Sequence, residues 1–238
     1  MNNTLEFQRY GIAGALEAIE KRVLTQVYTW MTLGLALTGA IAYFVADSPA
    51  LVGTLVQNRW LFWVLLFVEL GLVWVISGMI DRLSAATAAG LFFLYSAING
   101  ITLSSIFLVY NLGSIAGVFL ITAGTFGIMS LYGLTTKRDL TSIGNILFMA
   151  LIGIVIAGLV NLFIQSSVFG FIISLIGVVV FVGLTAYDSQ KIKEMAASAL
   201  DGESEGKIAV LGSLTLYLDF INLFLMLLRL FGGSRSDD

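Results

Sequence analysis

The chain has 238 residues, of which 58% are hydrophobic and only 11% charged, and its mean hydropathy is +0.98. A soluble domain carries about a quarter of its residues charged, so this chain lacks the polar surface to coat a globule in water, and its solvent is lipid. The net charge of −3 with no Lys/Arg cluster argues against a nucleic-acid partner, while the absence of Cys and His removes disulfides, thiol nucleophiles, Cys/His metal sites and every imidazole mechanism.

The first 22 residues are mixed polar with no apolar h-region, so they do not read as a cleavable signal peptide. A span needs about 20 apolar residues to cross roughly 30 Å of hydrocarbon. Seven runs qualify: Val23 to Val45, Trp60 to Ile80, Ala85 to Val109, Ile115 to Leu134, Ile143 to Ile164, Val168 to Tyr187 and Ile208 to Phe231. The predicted organisation is an N-terminal segment over 1–22, a transmembrane domain over 23–231 and a short polar tail over 232–238. The predicted fold class is an all-α membrane protein, a bundle of seven transmembrane helices. Pro49, the only proline, lies in the first link, so no span carries a proline kink. The glycines, as in Gly113-x-x-x-Gly117, read as close-packing positions between helices. The largest polar link, Asp188 to Lys207, can extend the sixth helix by two turns before the break at Asp201-Gly202.

Lys and Arg favour the cytoplasmic side. Nine of them (Arg9, Lys21, Arg22, Arg82, Lys137, Arg138, Lys191, Lys193 and Lys207) fall on one side of a seven-span chain, against Arg59, Arg229 and Arg235 on the other. The expected topology has the N-terminus cytoplasmic and the C-terminus outside.

An ionised group at the bilayer centre costs about 2.5–3.5 kcal/mol on insertion scales, so such a residue is paired, neutralised or functional. With no imidazole present, a protonation switch has to use carboxylates. Asp219 sits near the middle of the seventh span and shares a helical face with Thr215 and Asn222, a polar stripe expected to face the bundle interior. Asp188 follows Tyr187 at the end of the sixth; it is either a boundary carboxylate paired with Lys191 or a functional group. Glu69, midway along the second span, either accepts a proton, lines a pathway or is simply neutral. Arg82 either snorkels to the headgroups or reaches a carboxylate on a neighbouring helix. Ser96, Asn99 and Thr102 form a stripe on the third helix that either hydrogen-bonds between helices or lines the same cavity as Asp219.

Three segments carry a family resemblance. LYLDFINLFLMLLRLFG, Leu216 to Gly232, closely resembles the last helix of the Bax inhibitor-1 family, also called the transmembrane Bax inhibitor motif family. TAYDSQKIK around Asp188 resembles the family's sixth-helix motif, and INGITLSSIF, Ile98 to Phe107, its third helix. The resemblance implies a seven-helix bundle with the last helix central, and a hydrogen-bonded carboxyl pair of Asp188 and Asp219 that senses pH. It further implies a pH-sensitive calcium leak, with Arg82 as a latch on the sixth-helix aspartate in the closed form, although this chain has Asp-Arg where bacterial relatives can carry an arginine run. Two carboxyls in contact do not both ionise cheaply and share a proton. Once deprotonated they offer hard oxygen ligands suited to calcium, so Asp188 and Asp219 are also the candidate metal ligands. Glu69, Asn99, Thr215 and Asn222 are the candidate pathway lining. No catalytic residue and no cofactor is expected; the expected partners are the bilayer, calcium ions, protons and other membrane proteins.

Other readings stay open. One is a non-transporting regulator that binds a membrane protease or another membrane protein, and another is a proton-coupled exchanger using Glu69 with the two aspartates. A third is an intramembrane aspartyl protease, whose Tyr-Asp pair Tyr187-Asp188 matches, but whose Gly-x-Gly-Asp motif is here Leu216-Tyr217-Leu218-Asp219 and whose Pro-Ala-Leu element is missing. Short loops and small size suit a bacterial member, which places the chain in the cytoplasmic (inner) membrane.

Overall fold

The computed structural model describes residues 2–199 and 201–233, apart from the side chains of residues 2–13, 15, 56 and 59. Residues 234–238 of the expected tail, Arg235, and the side chains of Arg9 and Arg59 lie outside the described residues. The helices are α1 (Asn2–Ala46), α2 (Pro49–Gln57), α3 (Arg59–Gly78), α4 (Ala85–Leu103), α5 (Ile106–Val109), α6 (Leu112–Thr135), α7 (Thr141–Ile164), α8 (Ser167–Ala197) and α9 (Gly202–Phe231). Seven stretches are long and apolar enough to cross a membrane, and each contains or closely overlaps one of the runs read from the sequence. The first begins at Leu16, inside the expected N-terminal segment, because α1 runs unbroken from Asn2.

In hydrocarbon the backbone has no water to bond, so a spanning segment closes its own hydrogen bonds as a helix. The ends are closed by side chains. Ser84, Asn111, Ser166 and Asp201 each accept from the backbone N–H three residues on, at 3.1, 2.8, 3.2 and 2.7 Å. Asp201, bonded by both the hydroxyl and the amide of Ser204, is held below the ordinary aspartate range. The third span is interrupted after Leu103, where the Ser104 and Ser105 hydroxyls bond back to Ile101 O (2.6 Å) and Thr102 O (2.9 Å) before α5 resumes.

Helix α9 is the centre of the bundle, as expected of the last helix. It packs against α1, α4, α6 and α8, and fifteen of its 30 residues are buried, against two of 24 in α7. One end of the bundle is clasped by polar contacts. Arg22 forks onto Glu205 through two 2.7 Å bonds. Gln190 accepts from Leu140 N and donates to Arg138 O, both at 2.8 Å. Lys193 donates to Leu134 O at 2.9 Å, Glu203 accepts from Ala85 N at 2.8 Å, and Lys207 reaches Asp81 O at 3.2 Å. These contacts gather the basic links at one end, the clasped end, which a positive-side bias requires. At the other end Gly233 N donates to Ser114 Oγ at 2.9 Å.

Close approach rests on missing side chains, as at two contacts with α8. A Cβ on Gly133 would land on the carbonyl oxygen of Ala186, so α6 and α8 meet backbone to backbone. Gly144 similarly leaves room for the Tyr187 ring between α7 and α8. Gly127, on the same helix as Gly133, faces open space. Gly133→Leu should therefore destabilise by at least the ~1–3 kcal/mol typical of overpacking, read as a lower unfolding midpoint in detergent, while Gly127→Leu melts as the parent does. Equal midpoints for both variants would refute the backbone contact.

Candidate functional site

Helices α8 and α9 run antiparallel, and their register follows from two close contacts, Ile192 against Gly212 and Met226 against Gly177. Interpolating between them sets Asp188 level with Leu216, just under one turn (about 4.5 Å) short of Asp219. Side chains lean toward the N-terminus of their own helix. Because the helices are antiparallel, the two carboxyls lean toward each other across that turn. They face each other: the Asp188 and Asp219 carboxyls lie within interaction range of one another. Asp219 is buried, and among the described residues its Oδ2 receives no bond from any N–H or hydroxyl. Lys191 is the cation facing Asp188, and its ammonium also sits 5.8 Å over the Tyr187 ring.

The pair opens onto a cavity of about 860 Å³ between α3, α7, α8 and α9. Its α9 wall carries Thr215, Asp219, Asn222, Met226 and Arg229, a single helical stripe about 21 Å long. Thr215 and Asn222 thus lie where the sequence put them, and Asn222 donates to Leu218 O at 2.8 Å. A second cavity, of about 760 Å³, shares Val155, Gly158, Ile173 and Arg229 with the first and continues to Asn161 and Gln165 at the end opposite the clasp. The two cavities therefore adjoin, largely apolar in their walls, between the acid pair and that end.

Glu69 lines the same cavity from α3 and is buried. Unlike Asp219 it is well supplied with donors: Thr102 Oγ1 at 2.6 Å and Asn99 Nδ2 at 3.2 Å. Asn99 is not in the cavity wall. Of the two readings of its stripe, bonding between helices is the observed one, because its amide is drawn to Glu69 on one side and to the Tyr217 phenol, which donates at 3.0 Å, on the other. Tyr217 also pairs with Thr38 at 2.6 Å, and Thr38 reaches Ser96 O at 2.8 Å.

Arg82 is not at the acid pair. The chain leaves α3 at Gly78 through a short 3₁₀ turn, Ile80–Arg82, held by Lys207 on Asp81 O, and this turn leaves Arg82 exposed with no ion pair among the described residues. The latch implied by resemblance is not formed here, and Lys191 takes the place next to Asp188.

Sequence reasoning missed Tyr217, which is fully buried and joins α1, α4 and α9. It also missed a hydroxyl cluster of Tyr28, Ser130 and Ser189 that ties α1 to α6 and α8. A tyrosine in an apolar run reads as packing; the only hint was Asn99 lying in a span that needs partners. Tyr217→Phe leaves Asn99 Oδ1 without a donor, a buried loss on the order of 1–3 kcal/mol. A drop in the unfolding midpoint in detergent is the expected result, and an unchanged midpoint would show the phenol bond to be dispensable.

The family model described as inhibitor of apoptosis-promoting Bax1 matches residues 20–236 of this chain. The chain is 55% identical over 214 residues to the inner membrane protein YbhL of Escherichia coli strain K12, covering 89% of this chain and 92% of that one. It is 47% identical over 220 residues to a protein of Borreliella burgdorferi, covering 92% and 95%. A membrane protein of Streptococcus pyogenes serotype M6 is 39% identical over 211 residues, covering 88% and 91%.

Proposed function

This chain belongs to the Bax inhibitor-1 family of membrane proteins, and on that premise we propose that it is a pH-sensitive calcium leak channel gated by the Asp188–Asp219 pair. The observation that carries the reading is the carboxyl-to-carboxyl contact at the wall of a long polar-striped cavity. With one proton between them the two acids bind each other and close α8 onto α9. Loss of that proton leaves two neighbouring anions, which repel one another and present oxygens to a divalent cation. Glu69, held by two donors, adds a third oxygen pair to the same cavity. Thr215 and Asn222 continue the polar wall. No covalent chemistry is asked of these residues, so the reading is a non-enzymatic one. The orientation that goes with it has the clasped, basic end and the N-terminus in the cytoplasm and the C-terminus outside, in the inner membrane.

In liposomes loaded with a calcium dye, the parent protein should leak calcium at a rate that changes with pH, and Asp219→Asn should flatten that profile. An Asp219→Asn protein that titrates like the parent ends the sensor reading; a parent without flux at any pH favours a non-transporting regulator. Because Arg82 stands apart from Asp188 in this conformation, Arg82→Ala should leave basal leak unchanged. A raised leak in that variant would mean that the arginine latches the pair in another conformation.

A further inference from the structure

On the side of α9 away from the acid pair, a cleft of about 690 Å³ runs between α1 and α6 and opens to the bilayer. Its walls are small: Ala36, Gly39 and Ala40 on α1 face Ala123 and Gly127 on α6. At Gly39 and Gly127 an added Cβ would meet nothing within 4 Å. The floor is aromatic, with Phe220 of α9 packed edge-on against Phe119 and Phe126 at 5.3 and 5.4 Å. From Tyr28 to Ala40 the cleft is about 18 Å deep, close to one leaflet of a hydrocarbon core about 30 Å thick. Those dimensions and walls fit a single acyl chain.

The cleft is polar at one end only. Tyr28, Thr32 and Ser130 bring hydroxyls to the clasped end, and beyond them stand cations. Lys21 lies two turns before Tyr28 on the same face of α1, and Lys137 and Arg138 follow Leu134, which lines the cleft. All three are exposed, and none has an ion pair among the described residues. Of the neighbouring acids, Glu20 faces Lys193 at 3.8 Å and Glu205 holds Arg22; Glu17 lies one turn before Lys21 with no ion pair among the described residues, and Asp139, beside Arg138, accepts from Thr141 N at 2.8 Å, which keeps its carboxyl below the ordinary range. An apolar slot about one leaflet deep, with three exposed cations in no ion pair near its mouth, is complementary to an amphiphile with an anionic head.

We propose that the α1–α6 cleft binds one anionic phospholipid, an acyl chain lying against Phe220 and the phosphate held by Lys21, Lys137 and Arg138. A zwitterionic lipid fills the slot equally well but brings its own cation to the mouth, so the site prefers the anionic head. This site is separate from the acid pair and does not rest on the calcium reading.

The test is native mass spectrometry of the full chain in mild detergent, titrated with palmitoyl-oleoyl phosphatidylglycerol or its phosphatidylcholine counterpart. One phosphatidylglycerol should be retained in preference to phosphatidylcholine. The double variant K21Q/K137Q should lose that preference by about fivefold for each cation removed. Gly127→Leu, which faces open space, should fill the slot and reduce retention of both lipids without lowering the unfolding midpoint. An unchanged preference in K21Q/K137Q, or unchanged retention in Gly127→Leu, overturns the proposal. So does efficient disulfide dimerisation of a Gly127→Cys protein in lipid, which would assign the cleft to a helix of a second copy.

Discussion

Hydrocarbon offers no hydrogen bonds, so every polar group on a spanning helix has to find its partner inside the protein. Helix α9 carries Ser213, Tyr217 and Asp219 within two turns, all buried, and no lipid-facing position could satisfy them. Ser213 reaches Val27 O across to α1 as well as Ala209 O on its own helix. Tyr217 needs α1 and α4, and Asp219 needs α8. Those demands point to different sides of one helix, and enclosing α9 in a ring of helices meets them all. Helix α7, with almost nothing buried and no acid or base along its length, stands at the periphery.

The same constraint explains what could be read from the chain before its shape was known. The spans were legible because a lipid solvent demands apolar runs of bilayer length, and all seven were found. Asp219 and Glu69 were legible because a carboxyl in such a run is costly, and Asp188 because it stands at the edge of one beside Tyr187. Their mutual arrangement was not. Asp188 stands at the end of its apolar run and Asp219 near the middle of its own, which does not by itself bring them level. The contact depends on α8 continuing to Ala197 and on glycines that set the α8–α9 register, neither of which has a local signature. For Arg82 the sequence left open snorkelling to the headgroups and reach to a neighbouring carboxylate, and only the resemblance implied a latch on Asp188; a 3₁₀ turn and the Lys207 contact aim it outward. Tyr217 gave no signal, since a phenol in an apolar helix is indistinguishable from a packing ring until its partners are seen.

Asp219 and Phe220 are adjacent in sequence, and about 100° apart on the helix, so α9 is a wall with chemistry on both faces. One face carries the acid pair and the polar stripe of the large cavity; the other forms the aromatic floor of the α1–α6 cleft. A shift of α9 large enough to separate Asp219 from Asp188 also moves Phe220 against Phe119 and Phe126. The acid pair and the aromatic floor of the cleft are thus carried by neighbouring residues of one helix.

Hydrogen counting extends that link to Glu69. Three contacts, Thr38 to Ser96 O, Thr38 to Tyr217 and Tyr217 to Asn99 Oδ1, draw on two hydroxyl hydrogens, so with the amide as placed one contact lacks its proton. Turning the Asn99 amide over supplies the missing one: Nδ2 donates to the phenol, the phenol to Thr38, and Thr38 to the carbonyl. The amide oxygen then faces Glu69 Oε2, where Nδ2 had stood at 3.2 Å, and two acceptors can share that space only if Glu69 carries a proton. An anionic Glu69 therefore goes with one amide orientation and a protonated Glu69 with the other. Either way Glu69, Asn99, Tyr217 and Thr38 form one hydrogen-bonded chain that reaches α9 two residues from Asp219.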